Sequence, residues 1–449
     1  MNLLKKYSVL AGLVLLAFSC DEFALDAINP VDSVPLELAV TDANSAGAAR
    51  AGVYNELQDA TLVFDGYLAS YLYFSDDCDW TGTFPTRAEF ADFNVLPGNG
   101  TMGAVWADYY DVINTANALL DVLPAVEDVS LDDVTRNSLL AEARFARAIA
   151  YWHLATGWSG VPLILTPTVS VGEELNVPAS TEDQIMAQVV DDAQFAANNL
   201  AEGKTLGMTV AGANALLARV ALYQGRFDDA QNFATAAIGS DYDATSEAYL
   251  ADELFFLEFN TTDGNSLAFF FGPSELGGRR SISPSAKLVA AYEEGDARFA
   301  ASIATTLPDG TEVQPYGVKY DDFGTSAGAQ TDPIYFFRAA EMVLVLAETA
   351  ARRGDFDTAE DFLNQIRNRA GLDDIDDMDN DNFLDMILAE RYVELAMEGG
   401  HRLWDLRRTG RAQDVLGPLG YDPCDNVWPY PQQNIDTNPN LTQNGCCNC

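Results

Sequence analysis

The sequence predicts a mostly α-helical protein: a helical-repeat scaffold carrying an inserted irregular lobe with short strands. Three observations predict it. Apolar residues recur at three- and four-residue spacing along most of the chain. Two distant stretches share a Gly-x-Phe-Asp-x-Ala pattern. Beside them lie runs rich in Gly, Ser, Thr, Pro and aromatics that lose the helical spacing.

The spacing predicts helices over 43–59, 104–124, 135–157, 181–200, 209–224, 228–239, 338–353, 356–370 and 382–398. The repeated stretches are ALLARVALYQGRFDDAQNFATAAI (215–238) and MVLVLAETAARRGDFDTAEDFLNQI (342–366). Ala218, Gly225, Phe227 and Ala230 map at one offset onto Ala347, Gly354, Phe356 and Ala359. The pattern resembles a tetratricopeptide repeat, two helices joined by a tight turn. Small alanines let paired helices approach, glycine relieves the turn and the Phe packs under it. Such a unit cannot bury its apolar face alone and needs neighbours.

The insertions, around 61–103 and 240–335, read as irregular. LFFLEFN (254–260) and SLAFFFG (266–272) read as short strands, with Phe269, Phe270 and Phe271 as strand core. Loops held by a rigid scaffold are where binding residues concentrate.

Residues 1–19 read as a secretory signal. Lys5 and Lys6 precede an apolar run from Tyr7 to Phe18 that is shorter than the roughly 20 residues of a membrane span. Ser19-Cys20 at its end resembles the lipobox of a bacterial lipoprotein, in which the cysteine is lipidated and becomes the new amino terminus. A multiply acylated cysteine anchors a protein stably where one chain does not. Asp21 and Glu22 resemble the residues that direct some Gram-negative lipoproteins to the outer face of the outer membrane. Residues 20–449 then read as a single domain.

The 449-residue chain carries a net charge of −43, from 68 acidic and 25 basic residues. That excludes nucleic-acid binding, which needs basic surface, and disfavours docking on anionic lipid. Beyond Cys20 the cysteines are Cys78, Cys424, Cys446, Cys447 and Cys449, enough for at most two bridges in an oxidising compartment. The tail NGCCNC lacks the separated Cys-x-x-Cys pairs of a zinc site. No metal or other cofactor is expected.

Six segments in order resemble the SusD/RagB outer-membrane lipoproteins of nutrient uptake: CDEFALDAINP (20–30), AEARFARAIAYWHLATGWSGVPLIL (141–165), SPSAKLVAAYEEGDAR (283–298), IYFFRAAEMVLVLAETAAR (334–352), ILAERYVELAMEGGHRLWDLRRTGR (387–411) and WPYPQQNIDTNPNLTQN (428–444). The family's frequent Gly-Asp-Val-Pro departs here to Gly160-Val161-Pro162 after Ser159. The resemblance implies a tetratricopeptide-like domain with no catalytic activity. It also implies a SusC-like TonB-dependent outer-membrane barrel as partner, and a nutrient ligand, most simply an oligosaccharide or polysaccharide.

Arg402, Arg407, Arg408 and Arg411 read as structural partners for Glu390, Glu394 and Glu398, with Asp405 spaced to pair Arg402 and Arg408. His153 and His401, the two histidines, have no Gly-x-Ser-x-Gly nucleophile turn nearby. The run 373–382 fails as a calcium loop, since Asn382 stands where glycine is needed and Leu388 where a glutamate is. The candidate ligand residues are Asp79, Trp80 and Phe84 on one loop, and Tyr316, Tyr320 and Phe323 on another. Sugar rings stack on aromatic planes while neighbouring polar groups take the hydroxyls. An envelope scaffold that binds other proteins, or an extracellular glycan hydrolase, remains an alternative at this level.

Overall fold

The computed structural model describes residues 39–168, 176–201 and 207–444. The signal, Cys20 with its acidic lead, and the tail cysteines Cys446, Cys447 and Cys449 lie outside the described residues.

Local chemistry starts the helices. Before α1 (Ala43–Leu57), the Asp42 side chain accepts from the Ser45 amide and Ser45 bonds back, a capping box. α2 (Gly100–Val122), α3 (Asp133–Trp158), α4 (Glu182–Asn199) and α5 (Val210–Tyr223) begin after Asn99, Asp132, Thr181 and Thr209. Each of these side chains accepts from a backbone amide in the first turn. α6 (Phe227–Ile238) follows α5 across Gly225, held at φ 71°. α8 (Phe356–Ala370) follows α7 (Ala339–Ala351) across Gly354 at φ 77°. Both glycines thus sit in the left-handed region that a side chain would strain. α9 (Phe383–Glu394) and α10 (His401–Arg408) complete the long helices.

Helices pack in sequence: α2 on α3, α3 on α4, α4 on α5, α5 on α6, α6 on α7 and α7 on α8. Both α5 and α6 bury small residues, with Ala213, Ala218, Ala221, Ala230 and Ala234 all fully buried. α6 meets α7 although residues 239–338 separate them. That larger part of the lobe is therefore inserted between consecutive members of a tetratricopeptide-like stack.

Every segment read as helical carries a helix, but two expectations fail. Residues 61–74 are not irregular: a π-helical stretch, Leu62–Ala69, runs into an α-turn, Ser70–Tyr73. Leu62 to Phe74 are all buried, so there is no polar face to give the run an amphipathic period. SLAFFFG is not a strand but a helix, Leu267–Phe271. Its backbone is claimed by side chains: Asn265 Oδ1 accepts from the Leu267 amide (3.0 Å) and Gln330 Oε1 from the Phe269 amide (2.9 Å). Only Phe271 of the three phenylalanines is fully buried.

The lobe holds three two-stranded antiparallel ribbons. β1 (Cys78–Trp80) pairs with β3 (Ile282–Pro284), β2 (Glu253–Leu257) with β6 (Ile334–Arg338), and β4 (Ile303–Thr306) with β5 (Glu312–Gly317). β2 is the predicted strand 254–260.

A buried ionic network joins lobe to scaffold. Arg338, at the end of β6, pairs with Asp252 (2.8 Å), Glu394 (2.9 Å) and Glu398 (2.8 Å). Lys319 also holds Glu398 (2.6 Å), and Arg369 of α8 holds Glu394 (2.6 Å). Arg298 pairs with Asp296 (2.8 Å) and Glu390. The α9 glutamates are therefore neutralised by cations other than those expected. Arg402 pairs with Asp76 (2.7 Å) rather than Asp405, Arg407 donates to the Thr156 and Asp425 carbonyls, and Arg411 reaches Asp385. The Asp405–Arg408 pair does form (2.8 Å), and Arg408 also takes Glu348 (2.6 Å). Burial pushes the Glu348 carboxyl up, but Arg408 and Arg352 outweigh it and bring its pKa to about 2.

Candidate functional site

β1 and β3 bring two loops of the lobe together. Beyond their register pair Trp80↔Ile282, the Thr81 amide donates to the Ser281 carbonyl (3.0 Å), and the Thr81 hydroxyl donates to the Arg280 carbonyl. Phe84 then precedes a short helix, Pro85–Ala91, with proline at its first position. On the other side the chain from Gly272 to Ser281 folds back on the helix Leu267–Phe271. Amides of Arg279, Arg280 and Ser281 donate to the carbonyls of Phe269, Gly272 and Phe270 at 2.6–2.7 Å. The fold-back needs glycine, because a Cβ at Gly278 would lie 2.2 Å from the Gly272 carbonyl oxygen.

The two loops build a platform of rings and guanidinium groups. Phe84 is 41% exposed, and among the described residues no other aromatic side chain is classed as exposed. Arg279 lies over its ring at 4.6 Å and Arg87 at 5.0 Å. Arg87 also donates twice to Asp65 (2.8 Å each) and covers Phe64 and Phe270, which stack on each other at 4.0 Å. Burial pushes the Asp65 carboxyl up and Arg87 pulls it back. A shallow pocket of about 270 Å³ opens beside this pair, lined by Thr61, Phe64, Arg87, Asn265 and Phe270. Trp80 is half-buried and packs edge-on against Tyr73 at 5.2 Å, while Gly82 lies against its indole.

A larger cleft, about 960 Å³, runs along α2 between residues 97–114 and 431–441. It is rich in amides, among them Asn114, Gln433 and Asn434. Its Trp106 is buried and packs against Trp158 and Tyr430. The platform, with its exposed ring, is the better match to sugar chemistry.

Comparison with known proteins fits the architecture. A profile described as "SusD family" matches residues 309–446, and one described as "Starch-binding associating with outer membrane" matches residues 78–222. Two SusD-like proteins of Formosa agariphila are each 25% identical. One match covers 80% of this chain and 83% of the relative, the other 86% of each. The chain is similar to SusD/RagB proteins over most of its length.

Solved structures share this SusD/RagB fold. A laminarin-binding SusD-like protein superposes with a TM-score of 0.76 at 24% identity, covering 90% of this chain and 100% of its own. A SusD superfamily protein from Bacteroides vulgatus gives 0.77 at 21%, covering 90% and 98%. Surface glycan-binding protein A from Bacteroides thetaiotaomicron, in complex with laminarihexaose, gives 0.74 at 21%, covering 90% and 100%.

Within this SusD/RagB fold the candidate residues divide. Asp79, Trp80 and Phe84 lie at the platform, with Asp79 exposed. Tyr316 and Tyr320 do not offer open rings: they are 3% and 1% exposed. Their hydroxyls donate to the Thr306 and Met397 carbonyls, pinning the lobe to itself and to the residues after α9. Phe323 is half-buried, its ring 6.0 Å from Tyr316 and against the Gly272 backbone, so it backs the second loop. Sequence reasoning missed Arg87, Arg279, Arg280, Phe64 and Phe270. The Arg279-Arg280 doublet in a cation-poor chain was the available signal.

His153 is sealed among Tyr67, Tyr71 and Tyr109, and His401 beside Trp404; burial drives both imidazoles well below their ordinary pKa. Among the described residues no cluster of His, Cys, Asp and Glu is arranged to hold a metal ion.

Proposed function

We propose that the protein is a non-catalytic lipoprotein that captures a glycan at the Trp80–Phe84 platform and delivers it to a TonB-dependent outer-membrane transporter. In this proposal residues 1–19 are removed on export, acylated Cys20 tethers the single domain 20–449 to the outer membrane, and the platform faces the exterior. The observation that carries it is Phe84, an exposed ring flanked by two guanidinium groups, one of which, Arg87, also covers the stacked Phe64–Phe270 pair. Rings supply stacking surface and the arginines supply donors for sugar oxygens. The glycan-binding relatives of the same fold, one holding laminarihexaose, support it. The profile described as associating with the outer membrane supports the location.

Calorimetry of the chain begun after Cys20, against a panel of polysaccharides, tests the proposal. Phe84→Ala and Trp80→Ala are each expected to weaken binding, Phe84 by about tenfold for loss of one stacking contact. Binding that survives both substitutions would place the site elsewhere, with the α2 cleft next in line. Release of shortened products on long incubation would favour a hydrolase.

A further inference from the structure

Cations are scarce here, and nearly all of them have structural work. Of the described arginines and lysines, most hold an aspartate or glutamate within 4 Å. Three others are engaged with neutral oxygens. Arg136 and Arg407 donate to backbone carbonyls, and Arg353 to the Gln231 amide. Two remain. The Arg279 guanidinium donates to the Thr83 hydroxyl (2.8 Å) and lies over Phe84, but meets no carboxylate. Arg280 has no side-chain partner among the described residues. Its backbone sits at φ 44°, a conformation that a residue with a side chain rarely adopts. That backbone is held by the Arg280 amide bond to Gly272 and by the Thr81 hydroxyl on its carbonyl.

Of the five described cations without a carboxylate, these two alone are adjacent in the chain, on the loop that brings Arg279 over Phe84, in a protein of net charge −43. The nearby acids do not neutralise them. Asp65 is engaged by Arg87, Glu275 accepts from Ser274 (3.1 Å), and Asp79 lies on β1 without an ion pair to either arginine. A neutral glycan can accept their hydrogen bonds but leaves both charges uncompensated. A carboxylate or sulfate ester answers both needs, because the planar fork binds such oxyanions in pairs of parallel hydrogen bonds. The stacking on Phe84 and the bond to Thr83 hold Arg279 in place before a ligand arrives, which lowers the ordering cost of binding.

Resting on the glycan capture proposed above, we infer that the platform selects an anionic polysaccharide, with Arg279 and Arg280 receiving its carboxylate or sulfate groups beside Phe84. The test uses the chain begun after Cys20 and two matched pairs of polymers: alginate with carboxyl-reduced alginate, and dextran sulfate with dextran. Laminarin is the neutral reference. At least one anionic polymer is expected to bind about tenfold or more tightly than its neutral counterpart, a margin of about 1.4 kcal/mol. The pair that shows it names the anion as carboxylate or sulfate. In the double variant Arg279→Gln/Arg280→Gln the affinity for that polymer should fall to that of its neutral counterpart. Circular dichroism and thermal melting report whether the variant is folded; neither side chain holds a carboxylate whose loss would unfold the lobe. Equal binding within both pairs, or a margin that persists in the variant, overturns the inference. Laminarin binding alone overturns it and leaves glycan capture standing, whereas no binding to any polymer removes both.

Discussion

Asp77 shows how much one side chain at the edge of the platform decides. It is buried one residue before β1, with Oδ1 lacking any hydrogen-bond partner. Burial, reinforced by neighbouring Asp76, raises its pKa to about 7 from 3.8. A carboxyl raised in the folded state contributes stability that is complete below 3.8 and is lost as pH rises through 7. Asp77→Asn removes that loss. The variant should match the parent near pH 4 and exceed it at pH 8, by up to about 4 kcal/mol. Melting curves across that range check it, and an offset independent of pH would show that Asp77 titrates normally. The residue scale is also where the sequence is least informative. Phe84 and Tyr320 both stand in polar, turn-rich loops, and nothing local marks one as open and the other as sealed. The difference is tertiary, since Tyr320 reaches Met397 across 77 positions. Likewise, Arg338 and Arg279 look alike in sequence. Only the folded chain, by gathering Asp252, Glu394 and Glu398 around the first, reveals that the second is uncompensated.

Among the elements, the loop from Gly272 to Ser281 is the one whose shape the platform depends on. Gly278→Ala should force it off the helix Leu267–Phe271, because the added Cβ meets a backbone oxygen that cannot move aside. A loss of about 1–3 kcal/mol is expected, with weaker polysaccharide binding. Gly98→Ala, where nothing lies within 4 Å, is the matched control. Equal melting temperatures for the two variants would mean that the loop is not tightly held. Elements were legible where a wet face, or an alanine spacing with a turn glycine, marked them. The paired helices α5–α6 and α7–α8 announce themselves through that spacing and glycine, although every residue of α7 is buried. The buried run from Leu62 to Tyr73 has neither mark. Leu267–Phe271 was ambiguous for another reason: five apolar residues fit a strand or a helix, and distant Gln330 decides.

For the whole molecule, the network around Arg338 ties lobe to scaffold and is expected to make them melt as one unit. Arg338 is 1% exposed and joins Asp252 and β6 to Glu394 of α9 and to Glu398 beyond it. Removing one partner of a buried ionic group strands the others, at a cost of roughly 3–5 kcal/mol. Arg338→Met should therefore lower the melting temperature of the entire protein in a single calorimetric transition. Two separated transitions in the parent would show that the lobe melts alone. The insertion between α6 and α7 also has a temporal side. At roughly 5–20 residues per second, synthesis needs on the order of 5–20 s to run from Ile238 to Ala339. Throughout that interval α6 has emerged but the helix that covers it does not yet exist. The stack can close only by reaching across a long loop, which raises contact order and slows the search. A nascent chain thus passes through a window in which the α6 face that α7 covers is open to wrong partners, and most of the lobe is made before the helices α7 to α10 that support it.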